Sequence, residues 1–300
     1  MPLPPETGRA DTGVIHDIGY RGYTGPRLGR SYATRSLFTQ SLRAAYGLGR
    51  SGKSKVLPML VLGAATAPAA IMVTLTLATG RDDLPVDYPQ YLSVVGLVVS
   101  IFLASQAPVL FSRDLRHHTV PLYFSRPITR ADYVRAKFAA MVTAQLLLMA
   151  APLLVLYAGA LLGGLSFGHQ TAHLLYGLVA AVLYALVPTS VAVVIAATTP
   201  RRGFGVAAIM GYLAISTAVV GIVVGISRGV SSAVPDSAQW ITLLSPGGLV
   251  ESLTNELFDL GSGPERMHAP GALGVLVFAA TAAAMVAGSY ALLLRRYRSI

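Results

Sequence analysis

Six apolar runs divide the chain, at residues 56–79, 91–111, 138–162, 173–198, 203–226 and 271–294, and no Asp, Glu, Lys or Arg falls inside any of them. Each run is close to the ~20 residues that a helix needs to cross a bilayer. Hydrocarbon offers no partner to a bare N–H or C=O, so spanning segments of this length must be helices. The pattern therefore predicts an all-α polytopic membrane protein with six transmembrane helices. Charged residues make up 12% of the chain, about half the roughly 25% usual in soluble domains.

The charges sort by side. Residues 1–55 carry nine cations and three anions, residues 112–137 carry a net +4, the turn Pro200-Arg201-Arg202 carries +2, and the end Arg295-Arg296-Tyr297-Arg298 carries +3. The alternate connections are acidic, at −2 for residues 81–90 and −3 for 228–270. The positive-inside rule then places both termini and the 112–137 loop in the cytoplasm, and 81–90 and 228–270 outside. A formal charge of +10 could suggest nucleic acid. Cations confined to one side of apolar runs argue against such a partner.

The domain reading is a cytoplasmic basic Gly-rich tail at 1–30, an interfacial amphipathic helix and elbow at 31–55, and a six-span transmembrane domain at 56–300. The tail has no helical period; it reads either as a flexible basic arm or as a segment anchored by Ile15, Ile18, Tyr20 and Tyr23. In 31–49, Leu37, Phe38, Leu42, Ala45, Tyr46 and Leu48 fall mostly on one helical face. A basic amphipathic helix beside a first span lies in the interface plane. Gly47 to Ser54 matches the phosphate-loop pattern G-x4-G-K-S. That loop needs a preceding strand and a following soluble helix, so the stretch reads as a basic elbow. Gly159 with Gly163, and Gly221 with Gly225, form small-xxx-small pairs suited to close helix packing. Beyond Ser245-Pro246, the spacing of Leu249, Val250, Leu253, Leu257, Phe258 and Leu260 predicts short outer helices before span six.

The 112–137 loop holds more order than topology requires. Thr129-Arg130-Ala131-Asp132 fits a capping box, and a short helix capped by Ser112 is expected before Pro121. The loop reads as a docking surface for a cytoplasmic partner that supplies energy, although basic loops also serve simply to fix orientation. Ion-driven transport needs ionisable groups at membrane depth, and by position none is there. The chain has no cysteine, and its histidines (His16, His117, His118, His169, His173, His268) are scattered. No catalytic or metal-ligating constellation follows from such a set, so the chain is expected to be no enzyme.

Ser125-Arg126-Pro127-Ile128-Thr129-Arg130-Ala131-Asp132-Tyr133-Val134-Arg135-Ala136-Lys137 resembles the S-R-P-[IV]-[ST]-R-x-x-[YF]-x-x-x-K run of bacterial ABC exporter permeases of the second type. Asp114 and Thr119-Val120 resemble the positions upstream of that run, and the tail around Ile15 to Arg21 and Gly25 to Arg30 resembles actinobacterial members. The resemblance implies a multi-pass permease subunit of the bacterial plasma membrane. It would pair with a second permease, identical or paralogous, on two cytoplasmic ABC ATPase subunits that hold the ATP and magnesium, with no cofactor in this chain. It implies a coupling helix between spans two and three, contacting the ATPase through Arg113, Asp114, Leu115, Arg116, Thr119 and Val120, with Arg126 and Pro127 shaping the next turn. The family often has an acidic pair before the Thr position, where this chain has Arg116, His117 and His118. Spans two and five would line the path, making Ser100, Ser105, Gln106, Tyr212, Ser216 and Thr217 candidates; each hydroxyl or amide equally suits interhelical hydrogen bonding. An apolar path with hydroxyls would favour export of an amphiphilic or uncharged cargo. The alternative is a non-transporting membrane anchor or sensor for an ATPase.

Overall fold

A computed structural model describes residues 25, 28–81, 83–117, 119–125, 127–199, 201–230, 234–260 and 267–298. The expectations for the tail at 1–24, for Arg126 and for His118 lie outside the described residues. The described residues are helical and joined by turns. Their helices are α1 (Arg30–Ala45), α2 (Lys53–Thr79), α3 (Tyr88–Val94), α4 (Gly96–Leu110), α5 (Ser112–Arg116), α6 (Val120–Phe124), α7 (Arg130–Leu162), α8 (Phe167–Thr198), α9 (Arg202–Val230), α10 (Asp236–Gln239), α11 (Pro246–Leu257) and α12 (Gly271–Arg298), with a 3₁₀ turn at Trp240–Leu244. Six helical stretches are long and apolar enough to cross a membrane.

The bundle is built around α7, against which α1, α2, α4, α8 and α12 all pack. Its start is fixed by the expected capping box: Asp132 N–H donates to Thr129 Oγ, and Thr129 N–H donates to the Asp132 carboxylate. Two groups that an α-helix leaves unsatisfied are thereby paired. Arg30, the first residue of α1, donates from Nε and Nη2 to the two Asp132 oxygens at 2.5 and 2.9 Å. The Tyr297 ring near the end of α12 lies 5.1 Å from that of Tyr133. Arg30 and Tyr297 thus share one end of the bundle, here called the basic end. Asp83 and Asp87 approach His169 and His173 at the other, acidic end.

Span two is divided. Pro89 sits in the first turn of α3, where a missing N–H costs nothing, and α3 meets α4 at Val95 (φ −90°, ψ 7°). Pro68 opens the hydrogen-bond ladder of α2. The buried Tyr91 hydroxyl donates to the Ala65 carbonyl at 2.5 Å, three residues before that proline. α1 turns its Leu37 and Ala45 into the bundle, and Tyr46 donates to the Ala144 carbonyl, whereas Leu48 is exposed. The elbow that follows is not a phosphate loop, because a helix precedes it. Gly47 is required there for space and for its backbone (φ +67°): a Cβ would lie 2.3 Å from the Ser54 carbonyl oxygen.

The two glycine pairs part company. A Cβ on Gly159 would stand 2.3 Å from a Val73 methyl, and one on Gly163 would stand 2.4 Å from Leu77, so α2 and α7 approach at that face. Among the described residues a Cβ on Gly221 or Gly225 would meet nothing within 4 Å, which corrects the expectation of a close-packed pair for α9 within this chain. Without a hydrophobic drive between helices in lipid, such close van der Waals approach holds the bundle. Gly159→Leu overpacks that face and should lower stability by roughly 1–3 kcal/mol, read as a lower melting midpoint in detergent. Gly221→Leu should leave the midpoint of the same preparation unchanged.

Candidate functional site

At the basic end, the segment after α4 is bolted to α7. Lys137 Nζ donates to the Asp114 carboxylate and to the Leu110 carbonyl, and the Tyr133 hydroxyl donates to the same Asp114 oxygen at 3.0 Å. Asp114 and Lys137 are 5% and 4% exposed. The ammonium also lies 4.9 Å from the centre of the Tyr133 ring, a favourable placement for a desolvated cation. Tyr133 is ringed by Tyr123, Phe124 and Tyr297 at centroid distances of 5.4, 6.1 and 5.1 Å. The backbone is tied as well, since Thr119 N–H donates to the Asp114 carbonyl. Position alone assigned Asp114 and Lys137 to a solvated loop; the structure buries both, because each supplies what the other needs away from water. Ser112 does not cap α5. It is the first residue of that helix, and its hydroxyl donates to the Ala196 carbonyl of α8 at 2.7 Å.

This bolting sorts the expected loop residues. Arg113, Arg116 and Pro127 are exposed, Leu115 and Thr119 are half-buried, and Asp114 and Val120 are buried. Leu122, 67% exposed on the five-residue α6, is an apolar surface residue that the sequence reading passed over. The apolar run Val120-Pro121-Leu122-Tyr123-Phe124 inside a basic loop was its signal. Nearby, Arg35, Arg43, Arg50 and Arg113 line one groove. Partial burial, with repulsion from Arg113 and Arg202, lowers the Arg50 guanidinium below its ordinary pKa. The basic end therefore presents a positive surface around Leu122.

The second feature is a cavity of about 510 Å³ between α3, α4, α7, α8, α9 and α11. It sits inside a single chain and within the size range of ligand sites. Of the six path candidates, Ser100 and Thr217 line it. Ser105, Gln106, Tyr212 and Ser216 do not: Gln106 donates to Ser105, while Ser105 and Ser216 donate to the carbonyls of Phe102 and Leu213 in their own helices. The wall also contains Ser93, Gln145, Tyr184, Ser245 and Glu251. Ser93 and Tyr184 share a hydrogen bond of 3.0 Å, and Thr217 and Ser245 one of 3.3 Å.

Glu251 falls off the apolar spacing of the expected outer helix. That helix, α11, is capped by Ser245, whose hydroxyl accepts from Gly248 N–H, and packs against α3, α8, α9 and α12. This turns Glu251 into the cavity wall beside Ser93. Burial raises its carboxyl above the usual range, against the pull of Ser93 and Arg228. Gln145 is wholly buried; its amide donates to the Val99 carbonyl at 3.2 Å, and its Oε1 meets no donor among the described residues.

Among the described residues, no group of three His, Asp or Glu side chains could hold a metal ion. No curated protein matches the chain. A family model described as ABC-2 family transporter protein matches residues 61–297. That match runs from within α2 to the end of α12, across all six candidate spans, so the chain belongs to the ABC-2 transporter family, as a multi-pass permease subunit of the bacterial plasma membrane.

Proposed function

We propose that this permease exports an amphiphilic cargo, driven by two separate cytoplasmic ABC ATPase subunits docked on the 112–137 loop, and that it works beside a second permease, identical or paralogous. ATP and magnesium are held by those ATPases and not by this chain. The basic end faces the cytoplasm on this reading, as its cations require. The observation that carries the proposal is the Asp114–Lys137 pair, which joins an exposed, positively charged surface to the central helix of the bundle.

The docking face consists of Arg113, Arg116 and Leu122, with Leu115 and Thr119 at its edge and Pro127 shaping the turn after it. Asp114 and Val120 act from below, holding the surface in shape. When the ATPases close on ATP, they push on α5 and α6. The push reaches α7 through Lys137 and α12 through the Tyr133–Tyr297 contact. α4 continues through Phe111 into α5, so the wall of the cavity moves with the loop. The cavity lies between spans two and five and suits a cargo with an apolar body. A plain anchor would have no use for such a space, which favours a chain that takes a ligand.

Two outcomes are expected when the chain is co-expressed with its ABC-class ATPase partner. Arg116→Glu and Leu122→Glu each reduce recovery of the complex at least fivefold without lowering the melting midpoint of the permease. Undiminished recovery in both removes the docking claim. Lys137→Met alone leaves a buried carboxylate uncompensated and costs about 3–5 kcal/mol. Asp114→Asn combined with Lys137→Met recovers much of that stability. This double variant keeps the ATPase bound but loses most ATP-driven transport in vesicles, because the link from loop to α7 has been slackened.

A further inference from the structure

The cavity wall is one-sided in its chemistry. Glu251 is its only formally charged residue, and no Lys, Arg or His lines it among the described residues. Gln145 adds a second acceptor. The Val99 carbonyl can only accept, which fixes the amide of Gln145 and leaves Oε1 without a donor. A buried acceptor left unmatched costs free energy; Oε1 is shielded from the open space, so it adds to the negative potential of the wall and is not itself a contact. The hydroxyls do not supply the missing donor: Ser100 donates to the Gly96 carbonyl, Ser93 pairs with Tyr184, and Thr217 pairs with Ser245.

The remainder of the wall is aliphatic or thioether, including Leu92, Leu103, Met149 and Met210. Methionine adapts to ligands of varied outline. Arg228 lies at the exposed end of α9, close enough to draw on the Glu251 carboxyl but outside the lining. An anion in this space would meet a carboxylate and the negative potential of an unpaired carbonyl oxygen. A neutral lipid-like molecule would leave the Glu251 carboxylate with only the Ser93 hydroxyl and the Arg228 charge to offset its burial.

We infer that the cavity is a cation-selective cargo site, built for a lipophilic ammonium whose N–H groups pair with Glu251, with the Gln145 oxygen adding negative potential behind the wall, while its apolar body fills the space between α4, α7 and α9. This narrows the export reading given above and rests on it for the word cargo, though the binding itself needs neither ATP nor a partner.

The test is binding to the full chain in lipid nanodiscs, corrected by empty nanodiscs. The probes are dehydroabietylamine, a rigid tricyclic primary amine, and the alcohol and carboxylic acid of the same skeleton. The wild type should bind the amine at least tenfold more tightly than the alcohol, and the acid least. Glu251→Gln should bring amine and alcohol to within about twofold while leaving the alcohol unchanged, and Gln145→Leu should weaken the amine several-fold. Equal binding of amine and alcohol by the wild type overturns the inference without needing any variant, as does a preference that survives in a folded Glu251→Gln. ATP-driven export of the alcohol in preference to the amine would also overturn it and would leave the transporter reading intact. Tight, Glu251-dependent amine binding in a complex that exports nothing would uphold the site and remove the transporter reading.

Discussion

A lysine and an aspartate shut away from water, with Lys137 reaching Asp114 and the Leu110 carbonyl together, set the geometry of one whole end of this molecule. Two ions lose several kcal/mol each on leaving water, and their mutual attraction recovers that loss only where further hydrogen bonds complete the shell. The Tyr133 hydroxyl and the aromatic faces around the ammonium complete it. The partners lie 23 residues apart in sequence, on opposite edges of the loop. Their pairing closes the loop and lays its polar residues outward. Tyr133 extends the same contact to Tyr297, so the last helix is tied in as well.

Much of the fold was legible because lipid imposes a simple demand. Uncharged runs of sufficient length have one way to satisfy their backbones, and all six appear as helices. The capping box at Thr129 was equally plain, since its two partners are three residues apart and its chemistry is local. Other features depended on what lay opposite. Gly159 and Gly221 sit in the same four-residue spacing, yet one faces Val73 and the other meets no neighbour among the described residues. Asp114 and Lys137 were counted as loop charges because a charge tally knows position and not partner. Glu251 fell off the apolar stripe of α11, which reads as solvent exposure; that side of α11 looks onto a cavity that only the assembled bundle creates.

The proposed docking surface lies at the basic end, and the cavity lies about midway along the same helices, at Gln145 of α7, Tyr184 of α8 and Met210 of α9. The docking surface caps the stretch from Phe111 to Phe124, and the cavity takes its wall from α4, α7 and their neighbours further along. Helices packed to crystal-like density transmit displacement with little loss. The inward-facing charges Asp114, Asp132, Lys137 and Glu251 each sit against a partner or a cavity, and they form no continuous relay through the centre. On the proposed export reading the bundle is worked mechanically from its basic end.

The tyrosine at position 91 has a consequence for how the chain enters lipid. Pro68 breaks the ladder of α2, and the hydroxyl given to Ala65 comes from the following hairpin arm. In hydrocarbon no water competes for a carbonyl, so an added donor beside the proline-broken turn is favourable. The first arm gains this bond only when the second lies beside it, so the two settle in lipid more favourably as a pair than the leading one does alone.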